Sequence, residues 1–339
     1  MSVPNNAQPL HRRPALRLVQ PTAADNVADY LRSWLRGRRS LRTSTVRSYE
    51  GHIRLYIAPA IGDVPLAELS AAHIDEMYER LLHPIGTRCR LSPSTIVRIH
   101  ATLMSALNAA VRSGWLSHNP AVHVELPRPR QFEQRVWTAN ELMSFLDTHA
   151  DDEMYALSAL LGTRGLRRGE ALGLRWSDVD LRGFQVRVVQ QLTVNRGAAS
   201  FSSPKSRAGH RVVAIDDWLA RILHRHGCRQ RLAAKANGWE ANDHTLVFTD
   251  AKGGYLNPIA VTRRFDRLLA ENDLPRIRLH DLRHTSASIG LASGESLLEV
   301  SRRLGHSSVA LTGDIYAHIS SEAAQVSAAR MSQYMHARR

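Results

Sequence analysis

Six polar side chains in the second half of the chain, Arg167, Lys205, His280, Arg283, His306 and Tyr316, are of the types needed to exchange one phosphodiester for another. Two guanidiniums present planar forks that match the nonbridging oxygens of a phosphate. A phenol can attack phosphorus, while lysine and histidine move protons on and off the oxygens that change partners. That set needs neither metal nor nucleotide.

Taken singly, each residue also has an ordinary structural reading. Lys205 sits in "SSPKSRAGHR" between two strand candidates, at a hairpin position where solvated lysines are common. It draws attention because lysine occurs only at Lys205, Lys235 and Lys252 in a chain otherwise rich in arginine. Base composition accounts for most of that bias, but lysine can release a proton and arginine does not. In "RGLRRGEALGLRW", Arg164, Arg167 and Arg168 can share one side of a helix, and spacing alone does not choose among them. In "RLHDLRHTSASIG", His280, Arg283 and His284 fall on one helical face. Histidines four apart are also a metal-ligand spacing, with Asp281 available as a base. Arginine between the ligands would repel a cation, and phosphate is the better guest for such a turn near a helix N-terminus. Tyr316 on an apolar helix would by itself read as a core residue.

The bulk composition points to a polyanionic partner. Of 339 residues, 45 are basic and 31 acidic, giving a net charge of +14. Nucleic acid fits better than membrane, because no apolar stretch approaches the roughly 20 residues that a spanning helix needs. Met1 to Gln20 contains no apolar signal-like core, so a cytoplasmic protein is expected. Cys89 and Cys228 are too few and too far apart for a disulfide framework or a zinc site.

The elements that must position these residues read as mainly α. Residues 1–22, with four prolines and a cluster of arginines, read as a flexible basic arm. Residues 23–122 read as a helical bundle. Its first helix carries "NVADYLRSWL", with Trp34 and Leu35 in a core, and its second runs from Ser44 to Ile57. A third follows a Ser70 cap, and a fourth opens at Ser92-Pro93. Residues 123–136 read as a linker, and 137–339 as a second domain opened by the capping-box phrase "TANE". Within it "GFQVRVVQQLTV", "ASFSSPKS" and "HRVVAI" predict a three-stranded antiparallel sheet, after which helices resume.

The phrases "GLRRGE", a hairpin lysine, "HDLRHT", "LGHSS" and a tyrosine in a Y-x-H ending, in that order, resemble the tyrosine recombinases, or phage integrase family. The similarity extends to the first half through "STVRSYEGHIRLYIAPAIG", "PLAELSAAHI" and "LNAAVRSGWLSHNPA", which resemble integrases of phages and integrative elements. Arg164 stands where the family commonly has threonine. The resemblance implies a SAM-like core-binding domain over 23–122 and a mixed α catalytic domain with a small antiparallel sheet over 137–339. It implies site-specific cleavage and rejoining of DNA through a 3′-phosphotyrosyl link made by Tyr316. Arg167 and Arg283 would hold the phosphate, Lys205 would protonate the departing oxygen, His280 would assist proton movement at the tyrosine, and His306 would hydrogen-bond the phosphate. Glu170 reads as structural, and His284 and His318 as supporting or packing residues. No cofactor or metal is implied. The implied partners are double-stranded DNA attachment sites, a homo-tetramer on DNA in a bacterial host, and accessory directionality or DNA-bending factors. The segment after Tyr316 would dock on a neighbouring protomer or pack within its own domain. Two rivals are a catalytically silent DNA-binding regulator on the same fold and a metal nuclease built on His280, His284 and His306.

Overall fold

The computed structural model describes residues 26–84, 89–129, 135–195, 197–204, 207–305 and 335–336. The expected basic arm, Lys205, His306, Tyr316 and His318 lie outside the described residues. The chain divides into two compact units, Met1–Phe132 and Glu133–Arg339.

In the first unit, α1 (Val27–Arg36) starts where the Asn26 side chain accepts the Asp29 N–H at 2.9 Å. Its stripe of Val27, Tyr30, Leu31 and Trp34 is buried, while Leu35 is half-buried against the same cluster. Trp34 stacks on Tyr49 with ring centroids 5.6 Å apart. The second helix runs further than its apolar spacing predicts. It begins as α2 (Thr43–His52), widens into a π turn over Ile53–Ile57, and continues as α3 (Ala58–Ile61). Pro59 supplies the reason, since it has no N–H and its ring would clash with a normally wound preceding turn. The wider turn, in which the Ala58 N–H reaches the Ile53 carbonyl, lets the helix pass the proline. Ser70 precedes α4 (Ala71–Leu82), and the Ser92 side chain accepts the Thr95 N–H ahead of α5 (Pro93–Arg112), with Pro93 at the first position. Ile57, Ile74, Ile96, Ile99, Leu103 and Leu107 are fully buried between these helices. The Tyr30 hydroxyl donates to the Ala106 carbonyl at 2.6 Å and ties α1 to α5.

The second unit opens with α6 (Ala139–Thr148), whose capping box is complete. Thr138 N–H donates to Glu141 Oε2 at 2.7 Å, and Glu141 N–H to Thr138 Oγ1 at 3.2 Å. Next comes α7 (Tyr155–Arg164), which is buried on all sides from Tyr155 to Gly162 and forms the centre of the domain. A short α8 (Arg168–Leu172) follows, then the strands, then α9 (Asp217–Ala236), α10 (Pro258–Ala270), α11 (Asp281–Ala292) and α12 (Leu297–Leu304). Helix α11 packs along α7 through small side chains, and Ser286 Oγ donates to the Thr163 carbonyl at 2.9 Å.

The strands differ from the three expected. The described residues form β1 (Val179–Asp180), β2 (Gln185–Val188), β3 (Gln191–Asn195), β4 (Ala198–Ser202) and β5 (Arg211–Ala214). One antiparallel sheet has the order β1-β2-β5, with Val186 opposite both Val179 and Val213. The other is the β3-β4 hairpin, with Leu192 opposite Phe201. The single strand read from "GFQVRVVQQLTV" is therefore two strands in two sheets. Val186, Val188, Leu192 and Val194 stay in phase on one two-residue period, interrupted only by the polar Gln190, and one polar residue in a strand pattern is too little to mark a break. A distant contact creates it: Gln190 Nε2 donates to the Gly173 carbonyl at 2.7 Å, which turns the chain onto the end of α8.

Candidate active site

Three arginines close together in sequence part company in space. The expectation that Arg164, Arg167 and Arg168 share a helix face fails because Gly165, at φ 67, ends α7 in the left-handed region between them. Arg164 pairs with Asp216 at 3.2 Å. Arg168 donates to the Pro258 carbonyl at 3.0 Å and to Thr262 Oγ1, fastening α8 to α10. Arg167 alone turns toward the end of α12. A side chain at Gly165 would also be excluded by packing, because its Cβ would lie 2.4 Å from Leu304 Cδ2.

The last carbonyls of a helix have no partner within it and carry its negative end. At the end of α12 three consecutive carbonyls each accept from a different arginine. Arg211 Nε donates to Arg303 O at 2.6 Å, Arg283 Nη2 to Leu304 O at 2.7 Å, and Arg167 Nη2 to Gly305 O at 3.1 Å. Arg283 is buried at 4% exposure, and its Nη1 donates to the Gly165 carbonyl at 2.6 Å. The Arg167 side chain, by contrast, is 38% exposed. The fold thus brings Arg167 and Arg283 to neighbouring peptide units although 115 residues of chain separate them, as their numbers show.

Beneath them lies Glu170, whose side chain is 1% exposed. Its Oε1 accepts Arg167 Nη1 at 2.7 Å, and its Oε2 accepts Arg211 Nη2 at 2.9 Å and the Arg167 N–H at 2.9 Å. Burial alone would raise the pKa of this carboxyl. Hydrogen bonding and charge from Arg211, then from Arg167, more than offset it, so Glu170 stays ionised. The structural role expected of Glu170 takes this form.

His280 occupies the position before the first residue of α11 and makes no side-chain cap bond there, and Arg283 and His284 lie on the first turn. The His280 and His284 rings meet edge to face with centroids 5.6 Å apart. Desolvation, followed by the charge of Arg283 and more weakly of Arg278 and Arg167, lowers the His280 pKa against the opposing pull of Asp281. His280 is therefore neutral near pH 7 and can accept a proton. Asp281 is no free base. It is buried, and Arg278 closes on it with Nε to Oδ2 at 2.9 Å and Nη2 to Oδ1 at 2.7 Å. Among the described residues no group of three or more His, Cys, Asp or Glu is arranged to hold a metal ion.

His284 makes the fold acid-sensitive. Desolvation, together with the charge of nearby His280, lowers its pKa from 6.5 to about 4. Between those values the unfolded chain binds a proton that the folded chain does not, so stability present above pH 6.5 is lost as the pH falls toward 4. The expected loss is about 2–3 kcal/mol. Urea midpoints measured at pH 7 and pH 5 check it, and a His284→Gln variant should show a shallower pH dependence.

Of the six residues selected from sequence, Arg167, His280 and Arg283 come together here. Lys205, His306 and Tyr316 lie outside the described residues. Sequence reasoning missed Arg211. Its signal was available: Arg211 and Val213 are two apart on one strand and so share a face, and Val213 is buried. A charge on a buried face demands an opposite partner.

A helical first unit and a second unit with paired guanidiniums at a helix end define the class, and comparison with known proteins agrees. Residues 136–323, more than half of the chain, match the model described as "Phage integrase family", and residues 26–82 match "Phage integrase, N-terminal SAM-like domain". The chain belongs to the phage integrase family, the tyrosine recombinases. It is 28% identical over 320 residues to a XerC-like tyrosine recombinase of Caldanaerobacter subterraneus subsp. tengcongensis, covering 86% of this chain and 79% of that protein. It is 27% identical over 296 residues to the integrase of Mycobacterium phage L5, covering 84% and 73%. Its fold is similar to that of the Tn1549 transposon integrase in complex with a circular intermediate DNA, with a TM-score of 0.77, 21% identity, and coverage of 90% and 99%. It is also similar to a lambda integrase tetramer bound to a Holliday junction, with a TM-score of 0.63, 17% identity, and coverage of 86% and 77%.

Proposed function

We propose that this chain is a site-specific DNA recombinase that integrates or excises a mobile element through a 3′-phosphotyrosyl intermediate. The observation that carries the reading is the convergence of Arg167 and Arg283 on the adjacent carbonyls of Leu304 and Gly305, beside a neutral His280 at the N-terminus of α11. Fixed, part-desolvated guanidiniums stabilise the charge that grows on a phosphate as it becomes five-coordinate. In the first step Tyr316 Oη bonds to the scissile phosphorus and its proton passes toward His280. The bond to the 5′ oxygen breaks, and Lys205 protonates that departing oxygen to give a 5′ hydroxyl. His306 hydrogen-bonds a nonbridging oxygen. Attack by a 5′ hydroxyl from the exchanging strand reverses these transfers, so one phosphodiester replaces another and no external energy source is needed.

Residues 23–122 serve in this reading as the core-binding domain, 123–136 as the linker and 137–339 as the catalytic domain. The net charge of +14 favours a duplex grasped through its phosphates, with binding that weakens steeply as salt rises. Four protomers on two attachment sites form the working assembly, with accessory bending or directionality factors, in the cytoplasm of a bacterial host. The relatives named above, integrases among them, support the mobile-element role.

Nicked suicide duplexes drawn from the DNA that flanks the gene test the proposal. A protein-DNA adduct stable to detergent, formed equally with and without EDTA and mapping by peptide mass to Tyr316, is expected. Cleavage that leaves no protein-linked DNA and stops in EDTA would overturn it in favour of a metal nuclease. Within the same assay, Arg283→Lys keeps the charge but loses the fork that spans Gly165 and Leu304. Its single-turnover cleavage rate should fall by about 10²–10³ while duplex affinity is retained.

A further inference from the structure

Arg211 closes the phrase "SSPKSRAGHR" that drew attention to Lys205 and was given no role of its own, yet its side chain is only 7% exposed and all three of its guanidinium nitrogens are engaged. Resting on the recombinase reading, we propose that Arg211 is a positioning residue for the phosphate-binding guanidinium of Arg167, acting through Glu170 and the end of α12.

Arg167 is held at two points, and Arg211 sets both. The first is Glu170. Arg167 Nη1 takes Oε1 at 2.7 Å, while Arg211 Nη2 takes Oε2 at 2.9 Å and Arg211 Nη1 reaches Oε1 at 3.3 Å. The Arg167 guanidinium is therefore left with one carboxylate oxygen, Oε1, since Oε2 is taken by Arg211 and by the Arg167 backbone N–H. A carboxylate relieved of Arg211 would draw Arg167 into parallel, two-point pairing, the preferred geometry of this ion pair. The edge that Arg167 offers to a phosphate would then turn inward. The second point is Gly305, whose carbonyl accepts Arg167 Nη2 at 3.1 Å. Two residues earlier, the Arg303 carbonyl accepts Arg211 Nε at 2.6 Å, and Arg211 Nη1 also donates to Gly209 O at 3.2 Å. Gly305, at φ 70, is pressed against this strut. A Cβ there would lie 3.0 Å from Arg211 Nη1 and 2.8 Å from the Ala208 carbonyl.

Charge leads to the same conclusion. Arg167, Glu170 and Arg211 together carry one net positive charge. Without Arg211 the remaining pair is neutral, and a phosphate would meet a dipole in place of a cation. Arg211 keeps the cluster around Arg167 net positive as well as keeping Arg167 correctly aimed.

The test uses the full-length enzyme, the nicked suicide duplex and single-turnover cleavage, with duplex affinity and melting temperature measured alongside. Arg211→Met should cleave on the order of 10- to 100-fold more slowly with duplex affinity retained, as when other outer-layer partners of an active group are removed. Arg211→Lys, which restores a charge beside Glu170, should recover part of the rate. Because Arg211 acts through Arg167, the Arg211→Met/Arg167→Lys double variant should be no slower than Arg167→Lys alone. A purely structural residue would instead lower affinity and cleavage together, and its loss would add to that of Arg167→Lys. Additive losses, or an Arg211→Met enzyme with undiminished cleavage, overturn the proposal. If Arg211→Met does not fold, Arg211→Lys carries the same cycle. Failure of the wild-type chain to form any adduct overturns the recombinase reading, and this role with it; an active wild type with additive losses overturns only the role of Arg211.

Discussion

Tyr316→Phe is expected to bind the nicked duplex like the wild type and to form no covalent adduct at all. The change removes one oxygen and leaves the ring, so packing and charge are nearly preserved while the nucleophile is gone. Nothing else in the proposed set can substitute. Guanidinium groups are not nucleophiles, and His280, although neutral, has its place as a proton acceptor. A loss of at least about 10⁴ in strand cleavage is expected, the scale seen when the nucleophile of a concerted catalytic set is deleted. Denaturing gels that resolve protein-linked from free DNA read the result directly. An adduct surviving in Tyr316→Phe would place the nucleophile on another side chain. The catalytically silent regulator, by contrast, predicts no adduct from either chain.

The second large effect lies under the site. Glu170→Ala is expected to destabilise the second unit by about 3–5 kcal/mol, because it strands a buried guanidinium. Arg211 is 7% exposed and would keep only the carbonyls of Arg303 and Gly209 as partners. These accept hydrogen bonds but do not neutralise a charge. For a domain of this size the melting temperature should drop by roughly 10 °C. Glu170→Gln retains the volume and one acceptor oxygen and should lose less. A Glu170→Leu/Arg211→Met pair should regain most of the stability, since a buried ion pair exchanged for apolar groups of similar size is close to neutral. It should not regain cleavage, because Arg167 would lose its Glu170 contact and the Arg211 strut that supports the Gly305 carbonyl. Separate recovery of stability and activity distinguishes a pair needed for the reaction from one needed only for folding.

The way particular residues were misread shows what local pattern can carry. The capping box at Thr138 and Glu141, the Ser92-Pro93 start and the stripe of Val27, Tyr30, Leu31 and Trp34 were legible because their partners lie within four residues. The strand break at Gln190 was not, because the apolar positions on either side of this one polar residue stay in phase and the deciding acceptor is the Gly173 carbonyl. The grouping of Arg164, Arg167 and Arg168 failed for a related reason. One left-handed glycine sends the three guanidiniums to Asp216, Gly305 and Pro258, partners found only after the domain packs.

The amino-acid order by itself determined the helical class, the positive charge that calls for a polyanion, and the succession of phrases that marks the recombinase family. Those properties depend on residue type and on interactions within a turn or two of helix. Tertiary structure alone decided that Arg167 and Arg283 stand at adjacent carbonyls, that Arg168 is tied to α10, and that Arg211 shares Glu170 with Arg167. The physical reason is burial. Removing charges from water forces each to find a partner, and the partners available to Arg211, at Glu170 and Arg303, lie 41 and 92 positions away along the chain.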